Sequence, residues 1–438
     1  MAFRIGTPVV HQGDHGLTIE AELGFGGNTP SLWFRVPPEY APDETTIGDA
    51  FVAAMLPVAM SRGEDLTIDA PVSAKLLEGM EEIQAIFSSW YSGVLKRVAV
   101  TPAAAVSPEP SGVSRTISCF TGGVDSFYSL VKNKGAIDSL LYVEGFDVPL
   151  TNMALSRKVQ ETVSAVAAEH GTDVAILATN LKTFTDKAVN WGLVAVGPAL
   201  ASAGLILQGH VDLMRVPSSH SYKQMFPWGS HVMLDHLWSS ERLTLVHDGA
   251  AASRIDKTLA ISTEPSAYRH LRVCWQNKGP YNCGQCEKCL RTMTALELMG
   301  ALENFTVFPS VDLPAAVRAL KISGQNGLEF QLENLDYGTE IGSTSPVMPA
   351  LTHAVEKFQA RNSGAGKAPT PYAGSRTAHI PAVRTEVAQL RSEVVLMHTE
   401  VAQLRSRLVA AEKAFPIRVW RFARRTTKRI VPNRKRAA

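Results

Sequence analysis

Ser114-Arg115-Thr116-Ile117-Ser118-Cys119-Phe120-Thr121-Gly122-Gly123-Val124-Asp125-Ser126 is the stretch that decides the fold. Its first seven residues read as a short strand, the paired glycines as a tight turn, and Val124 onward as the opening of a helix. Such a turn lets backbone N–H groups converge on a phosphate, and the helix start adds its positive end. Hydroxyls of Thr121 and Ser126 add donors, and Asp125 holds the turn or helps bind magnesium. The plain alternative is a glycine turn without chemistry.

Downstream, strands are expected at residues 139–143, 173–177, 211–216 and 243–246, with helices at 155–170 and 193–207. Strands alternating with helices predict an α/β fold with a doubly wound parallel sheet, its ligand at the carboxyl ends of the strands. Counting residues 114–120 as the first strand, Asp147 follows the second and can touch the nucleotide or magnesium, or simply stabilise a turn. Asn180 holds the same position after the third. Ser218, Ser219, His220 and Tyr222 follow the fourth, where an acceptor should lie, and His220 can take a proton from an attacking amine. Phe226-Pro227-Trp228-Gly229 and Leu237-Trp238 read as a packed loop or a substrate wall. Asp248 and Arg254, after the fifth strand, bind pyrophosphate or pair with each other.

Four of the five cysteines, Cys274, Cys283, Cys286 and Cys289, stand as C-x8-C-x2-C-x2-C. That spacing brings four thiolates round one tetrahedral zinc ion, and four protein ligands leave no open position, so the metal should be structural. Gly284 permits the knuckle, and Lys288 and Arg291 offset the thiolate charge. A redox dithiol or an iron–sulfur cluster is the alternative. Cys119, on the strand before the glycine turn, reads as a small buried hydrophobe.

The glycine turn resembles the PP-loop (S-G-G-x-D-S) of the ATP-pyrophosphatase superfamily, with Thr121 in place of the first Ser. Together with the cysteine spacing and the Arg two residues after the last cysteine (Cys289-Leu290-Arg291), residues 115–299 resemble the 7-cyano-7-deazaguanine synthase family. The resemblance implies an adenine-nucleotide α-hydrolase-like fold, ATP cleaved to AMP and pyrophosphate with Mg2+, and structural Zn2+. In that family a carboxylate is adenylated and then attacked by ammonia. Thr121, Gly122, Gly123, Val124, Asp125, Ser126 and Asp147 are thus the candidate nucleotide-binding residues, and Asp125, Ser126 and His220 the candidate catalytic ones. The chain departs from the family at Asn190-Trp191-Gly192-Leu193-Val194, where the family has Arg-Asn-x-x-Phe-Leu-Ser. Pro217-Ser218-Ser219-His220-Ser221-Tyr222 likewise replaces an acidic segment.

Around this centre, residues 1–105 read as a small α/β domain, structural or substrate-gating, with helices at 47–60 and 73–90 and a strand at 97–100. Residues 101–112 read as a linker, 113–310 as the ATP-binding domain with its zinc site, 311–358 as a helical extension and 359–380 as a second linker. The octapeptide TEVAQLRS starts at Thr385 and again at Thr399, two heptads on. Residues 381–413 then predict a parallel two-stranded coiled coil and a homodimer, or else a single amphipathic helix. Residues 414–438 form a basic amphipathic tail, with nine Lys or Arg and no acid from Phe415 onward. The tail suits an anionic membrane surface, or is simply solvated.

Composition is that of a globular protein, 45% apolar and 19% charged, with a formal net charge of +2. The N-terminus lacks signal-peptide character, and the longest apolar run, residues 193–207, is short and broken by Gly and Pro. A cytoplasmic protein is expected, peripheral to the inner membrane face if the tail binds lipid. The leading expectation is an ATP-dependent, ligase- or amidotransferase-like enzyme acting on a small-molecule or peptide carboxylate. The alternative is a non-catalytic adenine-nucleotide sensor dimerised by its coiled coil. Nucleic acid is disfavoured as a partner, because the cysteine cluster lacks a basic face.

Overall fold

The computed structural model describes residues 3–13, 16–24, 29–277 and 281–363. All of them belong to one compact unit, Met1–Lys367. In chain order the strands are β1 (Phe3–Ile5), β2 (Val9–Gly13), β3 (Gly16–Gly24), β4 (Ser31–Val36), β5 (Leu66–Ser73), β6 (Val100–Val106), β7 (Thr116–Cys119), β8 (Ser139–Glu144), β9 (Asp173–Thr179), β10 (Leu213–Pro217) and β11 (Thr244–Asp248). The helices are α1 (Gly48–Arg62), α2 (Ala74–Trp90), α3 (Val124–Lys132), α4 (Met153–His170), α5 (Lys182–Ala188), α6 (Val196–Ile206), α7 (Arg254–Ile261), α8 (Pro265–His270), α9 (Glu287–Leu298), α10 (Leu313–Arg318), α11 (Gly324–Glu340) and α12 (Val347–Ser363).

The described strands form a single sheet in the order β11-β10-β7-β8-β9-β4-β3-β1-β5-β6, with β2 beside β3. From β11 to β9 all neighbours are parallel. The chain starts this parallel half at β7, winds outward through β8 and β9, then returns to the other side of β7 with β10 and β11. The order reverses between β7 and β10, the kind of crevice in which open α/β sheets bind ligands. Alternate strand residues feed two cores. Leu141, Val143, Ala175 and Leu177 pack in the core that holds α1 and α6. Leu140 and Tyr142 pack with Phe127, Val159 and Val163 of α3 and α4. Helices therefore cover both faces, as near-continuous apolar strands require.

The N-terminal residues are joined to this sheet, not set apart from it. β4 pairs antiparallel with β9, Phe34 opposite Thr179. Asn180 fixes the junction, accepting from the Trp33 N–H at 2.9 Å and donating to the Ser31 carbonyl at 2.8 Å. Its place after β9 thus serves the sheet and not a nucleotide. The expected linker at residues 101–112 begins as β6, which pairs parallel with β5. Its side chains are mostly outward, so no apolar run announced it. The strand expected at 97–100 is therefore displaced to Val100–Val106.

α1 is buried from Gly48 to Met60, and α6 is almost as fully enclosed. Helices apolar all round carry little periodicity, which fits a central position. A Cβ on Gly197 of α6 would lie 1.9 Å from the Gly229 carbonyl oxygen, so only glycine allows this approach to the loop after β10. α6 is preceded by a π-helical turn, Trp191–Ala195. The expected helical extension is present as α10, α11 and α12, built round Leu313, Val317, Leu328 and Leu351 and packed against Leu290 and Met293 of α9. The second expected linker is helical at its start, since α12 runs to Ser363. The coiled coil and basic tail lie outside the described residues. No single helix among those described is long and apolar enough to cross a membrane.

Candidate functional site

Thr121 to Ser126 lie at the carboxyl end of β7, beside the β7/β10 reversal. Gly122 has φ +76°, a conformation that favours glycine, and its carbonyl accepts from the Arg272 N–H at 2.7 Å. Gly123 is the N-cap of α3, which has no side-chain cap, so the first-turn amides keep their donors. The Ser126 hydroxyl donates back to the Gly123 carbonyl at 3.0 Å and so braces the turn.

Asp125 meets two cations from α7. Arg254 Nη2 lies 2.9 Å from one carboxylate oxygen and Lys257 Nζ 3.3 Å from the other. Burial pushes its pKa up, but these two charges outweigh burial and hold it near 2. Lys257 is itself buried and also donates to the Ser218 carbonyl at 2.6 Å and hydroxyl at 2.9 Å. Desolvation lowers its pKa, with Asp125 opposing. Ser253 caps α7 in a capping box with Asp256 and so aims both cations at the turn. Arg254 does not pair with Asp248. That carboxylate accepts from Ser129, Lys132 and Asn133 at 2.6–2.9 Å and ties α3 to β11.

His220 is enclosed by rings. Phe226 lies 4.6 Å away, Trp228 5.4 Å, and Phe330 of α11 stacks at 5.8 Å. Burial, aided by Arg254, pushes its pKa down to about 3. The imidazole is therefore neutral at physiological pH, a weak proton acceptor but an available hydrogen-bond partner. Its Nδ1 is buried without a protein partner. Asp147 is exposed after β8, its backbone carbonyl accepting from Asn277 Nδ2 at 2.7 Å. Tyr222 is exposed on the segment after β10. The aromatic loop is held from behind by α2: the Tyr91 hydroxyl lies within 3.1 Å of the Leu193 and Pro227 carbonyls, and Trp90 packs on His231.

The four predicted cysteines come together, with sulfur atoms all within 4.8 Å of one another, and can hold a metal ion such as zinc. Cys286 is the N-cap of α9, its sulfur accepting from the Cys289 N–H, while the Cys283 sulfur accepts from the Cys286 N–H at 3.2 Å. Gly284, at φ +66°, makes the knuckle. Cys119 is a buried strand residue away from this cluster, its thiol pushed far up by burial.

The cysteine centre adjoins the glycine turn on two sides. Arg272, two residues before Cys274, holds Gly122. The first two turns of α9 carry Lys288 and Arg291, and the Arg291 guanidinium lies 4.1 Å from the centre of the Phe330 ring, which Arg254 also approaches at 5.3 Å. Lys257, Phe330 and Glu333 were not anticipated. Lys257 has one readable signal, the S-x-x-D capping box after the fifth strand. Phe330 and Glu333 have none, because they come from a helix far down the chain. Glu333 accepts from the Arg254 N–H at 3.0 Å.

Comparison with protein-family models, curated proteins and solved structures gave no match.

Proposed function

We propose that this chain is an ATP-dependent enzyme of the PP-loop type, which adenylates a carboxylate or carbonyl oxygen and releases pyrophosphate, after which ammonia or an amine displaces AMP. One observation carries the reading. At the reversal of a parallel sheet, an uncapped helix start meets Arg254 and Lys257, and the buried Nε atoms of Arg254 and Arg272 have no protein acceptor. Buried cationic donors without acceptors favour an anion, and the glycine turn suits a polyphosphate.

In this reading the fold is adenine-nucleotide α-hydrolase-like. The amides of Gly122, Gly123 and Val124 hold the departing pyrophosphate, and Lys257 and Arg254 offset its charge. These groups are preorganised by Asp125, Ser218 and Glu333, so little reorganisation accompanies the reaction. Both Asp125 oxygens face a cation, so its role is to hold Arg254 and Lys257 at the turn, and magnesium would enter with the nucleotide phosphates. The acceptor lies against His220, Phe226 and Trp228, with His220 a neutral hydrogen-bond acceptor for the incoming amine. The cysteine centre holds zinc in a closed, structural set of four thiolates. A nucleotide sensor is the second reading, favoured by the weak basicity of His220.

Gly123→Val tests the assignment. A Cβ there meets nothing nearer than 3.4 Å and φ is −79°, so the backbone accepts a side chain, and the melting temperature checks the fold. ATP affinity should fall by about a hundredfold or more with the melting temperature little changed. A folded variant with unchanged affinity would refute the nucleotide site. AMP and pyrophosphate in the wild-type reaction mark an enzyme, whereas unchanged bound ATP marks a sensor.

A further inference from the structure

Lys288 and Arg291 differ from the other cations of the site. Arg254 and Lys257 face Asp125, and Lys132 faces Asp248. Among the described residues, neither Lys288 nor Arg291 has a carboxylate within ion-pair distance. Both are oriented by aromatic rings instead: Lys288 Nζ lies 5.5 Å from the Trp275 ring centre, and Arg291 4.1 Å from that of Phe330. A ring positions a cation without neutralising it or occupying its N–H donors. The Arg291 Nε is buried with no acceptor. Of the nearby carboxylates, Glu333 accepts from Arg254, one Glu287 oxygen accepts from the Ser323 N–H and hydroxyl while the other is buried without a partner, and Asp147 acts on Lys288 only from beyond ion-pair distance. Trp275 is half exposed, while Lys288 and Arg291 are both partly buried.

The two side chains are one turn apart on α9, so they present donors along the same helix face. The glycine turn already has its own cations on α7. From this division we infer that Lys288 and Arg291 form a second anion subsite, which takes a carboxylate or phosphate group of the acceptor while the nucleotide phosphates sit on Gly122 to Val124. The inference rests on the proposed ATP site and narrows its substrate class to anionic acceptors. Arg291 binds the group through its free guanidinium edge, Phe330 fixes the plane of that edge, and Lys288 guides the anion in from Trp275.

Inorganic phosphate, followed by NMR titration of protein saturated with magnesium and α,β-methylene-ATP, is the probe. Wild type should take up one phosphate. Arg291→Gln and Lys288→Gln should each weaken that uptake by about tenfold or more, with nucleotide affinity within about threefold and metal content unchanged. Acetate competing for the site assigns a carboxylate, and failure to compete assigns a phosphate. Absence of phosphate uptake by wild type overturns the inference. So does a loss of nucleotide affinity in Arg291→Gln as large as in Lys257→Met, since Arg291 would then belong to the triphosphate. Phosphate uptake by the Gly123→Val protein separates the two proposals, because it survives there even if the ATP assignment fails.

Discussion

The cysteine centre and the glycine-turn site adjoin each other yet are built in opposite ways. All four cysteines fall within Cys274 to Cys289, and two of their contacts are sulfur to backbone N–H inside the knuckle itself. The anion site draws on β7, the loop after β10, α7, α9 and α11, with Asp125 and Phe330 about half the chain apart. A local site is determined by spacing. An assembled site exists only once the sheet, its crossovers and the C-terminal helices are in place.

That contrast can be broken most severely at Cys286. Cys286→Ser removes one of four ligands but leaves a hydroxyl able to cap α9, so the loss reports on the metal. Metal content should fall from about one per chain to near zero, and the fold should lose much of a binding free energy on the order of 10 kcal/mol. Elemental analysis and chemical unfolding measure both. A metal-free protein of undiminished stability would mean the centre is not structural.

A smaller effect is expected at His220, within the assembled site. Its folded pKa lies below its unfolded value, so the stability it contributes is complete above about pH 6.5 and is lost as pH falls toward 3. The loss approaches about 1.4 kcal/mol per pH unit in that window. His220→Phe should flatten this part of the stability profile, with wild type and variant differing most at acid pH. Parallel profiles from pH 7 to pH 5 would show that the imidazole is not buried among its rings.

These two residues also show what the sequence could reveal. The cysteine centre was legible outright, because the ligand spacing is itself the geometry. The five parallel strands were legible to within a few residues, because buried parallel strands read as apolar runs. The partners of Asp125 were only partly so: Arg254 stood out after β11, but its pairing with Asp125 instead of Asp248 depends on the crossover. Phe330 could not be found at all, since an aromatic on an amphipathic helix is ordinarily core. β6 was hidden by its exposed, small side chains, and Asn180 by standing where a ligand residue would also stand.

The smallest expected effect is at Asn180. Asn180→Ala removes two hydrogen bonds at the β4/β9 junction and leaves the Trp33 N–H without its acceptor. Unfolding free energy should fall by about 1–3 kcal/mol, with nucleotide and metal binding unchanged. An equal loss of nucleotide affinity would show that the junction, and not only the five parallel strands, supports the site.

The pairing of β4 with β9 also bears on how such a chain can be dissected or inherited. A protein beginning at residue 113 would not be a smaller version of this one. It would present β9 as a bare edge, with unpaired N–H and C=O groups ready to recruit a strand from another molecule. It would also lose α1, and with it the cover over the sheet face formed by Leu141, Val143 and Leu177. The N-terminal residues thus act as a built-in solubilising cap, and insertions are better tolerated at the tips of exposed loops than at the boundary where composition alone would place a cut.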